Sequence, residues 1–309
     1  MAYINNISYV MGEARPTSSL KESGVSRESI LQLLVRGADN YFHRSESLMD
    51  VSIKAVEKVI SESDVDRNDI DVLLLGTNSL AAPDFNDDFG HQLITKLHFK
   101  NAYVQLIGFQ NCGDSVPIFR TARAMLKSGD AKTVLILIAD DVTAAGVPRI
   151  LKDSYLHSDG AAAALVSQNG PGYMLSNSKV LHLPASIKSI DSYDLDGNLD
   201  YLLDEAINIY QHNLGIQNVP EFVITHNMNR LYNQKVADKF EVSLDLVYGV
   251  HTLGHCLAAD VLINMNVLET DGHLKGGEQG VLVVPTSRSI GVLDISYHKN
   301  NNTVSQINE

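Results

Sequence analysis

The 309-residue chain is 44% hydrophobic and 20% charged, which is enough apolar material for one large or two modest cores under an ordinary globular surface. Its 24 Lys and Arg face 37 Asp and Glu, a formal net charge of -13 that argues against a nucleic-acid phosphate partner. Two cysteines make no disulfide framework, no apolar run reaches the roughly 18 to 20 residues of a membrane helix, and Met1 to Asn5 lacks a signal-peptide pattern, so a cytoplasmic protein is expected.

In chain order, Asn6 to Met11 alternates as a strand and Glu28 to Val35 carries a short helix. Leu48 to Ser61 is the first clear amphipathic helix, with Val51, Ala55, Val56, Val59 and Ile60 at helical spacing. Ile70 to Gly76 is a buried, parallel-type strand that feeds a loop, followed by a helix near Asp88 to Leu97. Val104 to Ile107 then leads through a tight turn holding Cys112 into a helical run, Val116 to Leu126. Thr133 to Ala139 is a further apolar strand, closed by Asp140 and Asp141. His157-Ser158-Asp159-Gly160 opens a small-residue strand, Ala161 to Ser167.

The polar stretch Gln168 to Gly172 marks the expected boundary between halves 1–168 and 169–309. Asp194-Leu195-Asp196-Gly197-Asn198 faintly suggests a calcium loop, but Ser192 and Leu203 stand where acids are needed, so a solvated turn is expected. The second half then echoes the first. Helix Leu199 to His212 precedes strand Glu221 to Thr225, which delivers His226-Asn227-Met228-Asn229-Arg230 and a helix to Phe240. Asp245 to Tyr248 leads by a loop to Gly254-His255, with Cys256 to Leu268 expected helical. Gln279 to Val284 and Ile290 to Ser296 form a hairpin, and the tail from Lys299 is polar.

Cys112, His226 and His255 all fall in loops between an apolar strand and a helix, where α/β sheets place chemistry. A cysteine at a helix start is favoured as thiolate by unpaired N–H groups and the helix dipole, which makes Cys112 a nucleophile candidate; the alternative is a packed core thiol. Either histidine could instead be structural. Asp260, five residues after His255, could turn back to orient an imidazole for proton transfer or simply complement a helix N-terminus. A zinc set of Cys112, Cys256, His226 and His255 has suitable ligand types but no short pair to nucleate it, so no metal is expected.

These residues in this order resemble the thiolase superfamily and, within it, the β-ketoacyl-acyl carrier protein synthase III branch. The likeness rests on Gln110-Asn111-Cys112-Gly113, the strand ending at Asp140, Ser158-Asp159-Gly160-Ala161-Ala162, and a His-x-x-Asn motif at His226 to Asn229. It implies a duplicated α/β/α/β/α five-layered fold, a homodimer, no cofactor, and an acyl group held as a thioester on Cys112 with His226 beside it. His255 stands where the condensing branch carries an asparagine, so Cys112, His255 and Asp260 resemble the ketosynthase III-like acyltransferases. The alternatives are decarboxylative condensation, using His226 and His255, and a non-catalytic partner subunit of a ketosynthase heterodimer. The chain has no tryptophan to match the Trp and Arg clamp on the coenzyme A adenine, which favours a carrier-protein donor over coenzyme A. Arg120, Arg123, Lys127, Arg149 and Lys152 are the candidate contacts for an acidic carrier protein.

Overall fold

A computed structural model describes residues 1–83, 85–151, 155–182, 195–286 and 289–299. Its centre is one ten-stranded sheet. In chain order the strands are β1 (Tyr3–Met11), β2 (Val72–Gly76), β3 (Tyr103–Ile107), β4 (Thr133–Asp140) and β5 (Gly160–Ser167), then β6 (Gly172–His182), β7 (Phe222–Ile224), β8 (Val247–Tyr248), β9 (Gln279–Pro285) and β10 (Ser289–His298). Across the sheet the order is β8-β7-β9-β10-β6-β1-β5-β4-β2-β3.

That order contains the same pattern twice. In the first five strands, β2 runs parallel to β3 and β4, whereas β4 to β5 and β5 to β1 are antiparallel. In the last five, β7 runs parallel to β8 and β9, whereas β9 to β10 and β10 to β6 are antiparallel. The two sets join through a short antiparallel contact at Tyr3 with Met174 and Ile4 with Tyr173.

The helices are α1 (Arg27–Val35), α2 (Leu48–Ser61), α3 (Phe89–Lys96), α4 (Ser115–Ser128), α5 (Leu195–Asn208), α6 (Arg230–Phe240) and α7 (Asp260–Thr270). Three apolar clusters show how they layer. One joins α2 and α3 to the outer face of the first strand set through Val56, Leu93 and Leu137. A second joins α5 and α6 to the second set through Leu203, Val236 and Val283. Between the sets, the largest cluster packs α4 and α7 against strands of both through Phe119, Leu262, Ile136 and Leu282. The result is the layered duplicated α/β/α/β/α arrangement. Strand β2 and the Val134 to Ala139 run of β4 can be apolar because helices cover both faces.

Two sequence expectations are corrected and one strand is added. Leu195–Asn208 is helical, so Leu195 to Asn198 lie in the first turns of α5 rather than in a solvated turn; Asp194 falls outside the described residues. Asp, Gly and Asn are tolerated there because the first N–H groups of a helix have no intrahelical partner to lose. The helix after His255 begins at Asp260, preceded by a 3-10 turn at Leu257–Ala259, where Leu257 takes φ 53°. Finally, Gly172–His182 is a strand that the sequence pattern does not announce. Most of the C-terminal tail, from residue 300, lies outside the described residues.

Candidate active site

Cys112 sits in a sharp elbow between β3 and α4. Phe109 and Asn111 adopt left-handed φ values of 72° and 53°, and Asn111–Asp114 form a 3-10 turn that runs into α4. Asn accepts such a φ at low cost because its short polar side chain bonds locally. The turn is tied internally by Gly113 N donating to Gln110 O (3.0 Å) and Gln110 N donating to Asp114 Oδ1 (2.9 Å). It is tied externally by Asn78 Nδ2, which donates to Asn111 O (3.3 Å), while Asn78 N donates to Asp140 Oδ1 (2.6 Å). The acid that ends β4 thus holds the loop that ends β2 against the cysteine turn.

Gly113 has a specific steric reason. A Cβ there would lie 2.7 Å from Thr286 Cγ2, where the hairpin loop between β9 and β10 meets the elbow. Gly113→Ala is expected to destabilise the protein by about 1–3 kcal/mol through overpacking. The double change Gly113→Ala with Thr286→Ser, which removes the methyl and keeps the hydroxyl, should recover most of that loss in thermal denaturation; no recovery would place the strain elsewhere.

The second half delivers the histidines. His226 follows β7 and is fully buried, and Asn229 of the same motif caps α6 by accepting from Tyr232 N (2.9 Å). His255 lies on a segment held by His157 and its neighbours: His255 N donates to Leu156 O (2.8 Å) and Ser158 N donates to His255 O (3.0 Å). Gly254 makes that approach possible, because its φ is +69° and a Cβ would stand 2.4 Å from Ser158 Oγ.

Asp260, the first residue of α7, turns back into this group. Its Oδ1 accepts from Cys256 N (2.7 Å), and its Oδ2 accepts from Asn227 N (2.8 Å) and from His255 Nδ1 (2.5 Å). It therefore ties the turn at Cys256 and the loop at Asn227 together and orients His255 at once. With Nδ1 donating to the carboxylate, Nε2 of His255 is the ring nitrogen left for a reacting group. His226 Nδ1 is 3.6 Å from Asp260 Oδ2, and neither of its ring nitrogens has a hydrogen-bond partner among the described residues. The two rings meet edge to face, centroids 4.9 Å apart.

The titration behaviour follows from this crowding. Burial pushes the Cys112 thiol up, but the positive charges of His226 and then His255 outweigh it and bring it to about 6. Burial disfavours the His255 imidazolium, yet the Asp260 carboxylate and the Cys112 sulfur raise it to about 10. Cys112 and Asp260 likewise raise His226 against the burial effect. Burial would raise Asp260, but His255 first, and then His226, hold it well below the usual carboxylate range. At neutral pH the group is a thiolate with imidazolium, backed by a carboxylate.

Cys112 and His255 line a cavity of about 80 Å³, with Asn78, Val147 and Leu257 among its other walls. His157 also lines it, although its sequence context marks only the approach to a strand. Both cysteines are free; Cys256 is buried with Sγ 3.9 Å from Met11 Sδ, and burial raises its thiol well above the ordinary value. It therefore stands apart from Cys112. Of the proposed zinc ligands only His226 and His255 cluster, with Asp260, their ligand atoms within 4.8 Å of one another. The Asp260 oxygens are already engaged by two backbone N–H groups and His255, a donor set complete without an ion. Arg149 is not free for docking: it pairs with Asp159 Oδ2 (2.9 Å) and lies over the Tyr41 ring. Lys152 lies outside the described residues, whereas Arg120 and Lys127 are exposed on α4.

No protein-family model matches the chain. The β-ketoacyl-[acyl-carrier-protein] synthase III of Campylobacter jejuni subsp. doylei is 24% identical over 257 residues, covering 76% of this chain and 78% of that protein. The crystal structure of 3-oxoacyl-[acyl-carrier-protein] synthase III from Aquifex aeolicus superposes with a TM-score of 0.80 at 16% identity, covering 96% of this chain and 100% of that one. The acyltransferase ChlB3 gives a TM-score of 0.79 at 16% identity over 96% of this chain and 98% of its own. The fold is thiolase-like, an α/β class in which a buried cysteine meets residues from the other half. Within that fold the chain is similar, at 24% identity, to β-ketoacyl-acyl carrier protein synthase III proteins. Among the described residues no helix is long and apolar enough to cross a membrane.

Proposed function

We propose that the protein is an acyltransferase that takes an acyl group from a carrier-protein or coenzyme A thioester onto Cys112 and passes it to an acceptor hydroxyl or amine. The observation that carries this is the His255 Nδ1 to Asp260 hydrogen bond beside a cavity-lining cysteine. In loading, the Cys112 thiolate attacks the thioester carbonyl; the new C–S bond forms, the donor C–S bond breaks, and the leaving thiolate takes the proton from His255. Acylation removes the sulfur's charge and with it one of the influences that raise His255. The now neutral imidazole then accepts the acceptor's proton as the acceptor attacks, and Cys112 leaves as thiolate with the proton on His255. The thioester itself supplies the electrophile, so the reaction needs no cofactor.

Decarboxylative condensation is favoured by one observation: His226 Nε2 has no hydrogen-bond partner among the described residues, so the residue can donate from it to an enolate oxygen. Incubation with a panel of acyl thioesters, followed by intact mass and with Cys112→Ala as control, tests the proposal. An adduct that transfers without release of carbon dioxide supports the acyltransferase. Carbon dioxide from a malonyl thioester supports condensation, and no adduct from any donor leaves only a non-catalytic subunit.

The division into halves 1–168 and 169–309, a cytoplasmic location, and a homodimer belong to the same proposal. Repetition of the strand pattern supports the division. The exposed edge of β3 supports the dimer, because a terminal strand with one open edge, carrying Tyr103 and Leu106 and with Phe109 87% exposed beyond it, is a template for pairing with a second copy. Leu106→Lys is expected to shift sedimentation from dimer toward monomer; a monomer in the parent protein would remove the idea.

A further inference from the structure

Leu257 is a leucine where the backbone favours glycine or asparagine. It opens the 3-10 turn Leu257–Ala259 with φ 53°, a left-handed conformation that a branched apolar side chain enters only at a cost in energy. Two hydrogen bonds close around it and hold that conformation: Cys256 N donates to Asp260 Oδ1 (2.7 Å), and Ala259 N donates to Cys256 O (3.2 Å). Its neighbours Ala258 and Ala259 pack in the central core. Leu257 leaves them and joins a separate apolar cluster with Cys112 and Val142, against which Ala145 and Val147 pack. All of these except Val142 line the cavity at Cys112, so the cluster shapes that cavity rather than extending the core. Leu257 is 4% exposed, and its isobutyl group occupies space directly beside the sulfur. The cavity that remains is about 80 Å³. A dry apolar cavity of about 150 Å³ holds benzene, so roughly half that volume holds about three or four carbons.

We infer that Leu257 is a specificity residue whose side chain sets the length limit of the group carried on Cys112. The left-handed turn directs the side chain into the cavity, and removing the side chain joins its volume to that cavity and moves the limit outward. The role in acyl selection rests on the acyl-transfer reading of Cys112, but the test of the length limit needs no thioester.

Alkyl methanethiosulfonates of increasing chain length probe this space. The Cys112 thiolate attacks the alkyl-bearing sulfur, a new S–S bond forms, and methanesulfinate leaves with the electron pair of the broken bond. Rates would be followed by intact mass, with peptide mapping to separate Cys112 from Cys256. Methyl and propyl reagents should react at similar rates and the hexyl reagent about 10- to 100-fold more slowly, the scale on which extra methylenes are rejected by a filled apolar pocket. In Leu257→Gly, where glycine takes the left-handed φ freely, the hexyl-to-methyl rate ratio should rise by about 10-fold or more. Leu257→Ala keeps the backbone cost, removes most of the side chain, and should move the ratio in the same direction. A parent protein that takes hexyl as fast as methyl, or that takes none of the reagents, would overturn the inference. So would an unchanged ratio in a folded Leu257 variant, because a leucine with a structural role alone would alter both rates alike. Loss of the fold in both variants, read by circular dichroism, would likewise make Leu257 structural and overturn it. Failure of every acyl thioester to load a protein that shows the hexyl limit would instead strike the acyltransferase proposal, so the two failures are separable.

Discussion

Asp260→Asn is expected to slow acyl transfer by about 10²- to 10⁴-fold, the range spanned by a general base and its orienting carboxylate. The amide cannot replace the carboxylate. Asp260 accepts three hydrogen bonds, from Cys256 N, Asn227 N and His255 Nδ1, and one end of an asparagine side chain is a donor that would face a donor. Either the amide oxygen stays with Cys256 N and the His255 tautomer is no longer held, or the turn is disturbed. Loading should fall less than transfer, because the Cys112 thiolate is stabilised first by His226 and only then by His255. Single-turnover kinetics, with circular dichroism to confirm folding, separates the steps. Equal losses in both would assign Asp260 a structural role alone.

The second large effect lies in the pH dependence of Cys112. Its thiol is lowered to about 6, so alkylation by iodoacetamide should be half-maximal near that pH and level above pH 7, whereas an ordinary thiol continues to gain rate through pH 8.5. The sign follows from the causes: below the pKa the sulfur is a protonated thiol, and above it the thiolate is stabilised first by His226 and then by His255. Replacing both His226 and His255 by Ala removes those charges and leaves burial, which acts in the opposite direction. The midpoint should then rise to 9 or higher, and the thiolate fraction at pH 7 should fall by about a hundredfold. A double variant whose profile stays near pH 6 would transfer the cause to the start of α4, the origin expected from the local sequence.

Some elements were readable because their pattern is local. Helix α2 spans the residues its apolar spacing predicts, and Ser47 caps it by accepting from Asp50 N. The cysteine elbow was readable for the same reason, since an apolar strand, a turn and a helix follow one another within a short stretch. Strand β6 was not. Its middle is polar, at Ser176, Asn177, Ser178 and Lys179, and its register against β10 shifts between Leu175 and Ser178, so no clean alternation marks it. The pairing of Arg149 with Asp159 was not legible, because it joins residues whose proximity depends on how the strands pair.

The sequence by itself determined the strand and helix alternation, and Cys112, His226, His255 and Asp260 as candidates, because residue type and short spacing encode these. Only the tertiary structure decided that one carboxylate holds the His255 ring together with the backbone of Cys256 and Asn227, and that His157, from the first half, stands against His255, from the second. That bridge joins residues nearly a hundred positions apart, and its contacts arise from sheet pairing rather than from any local pattern.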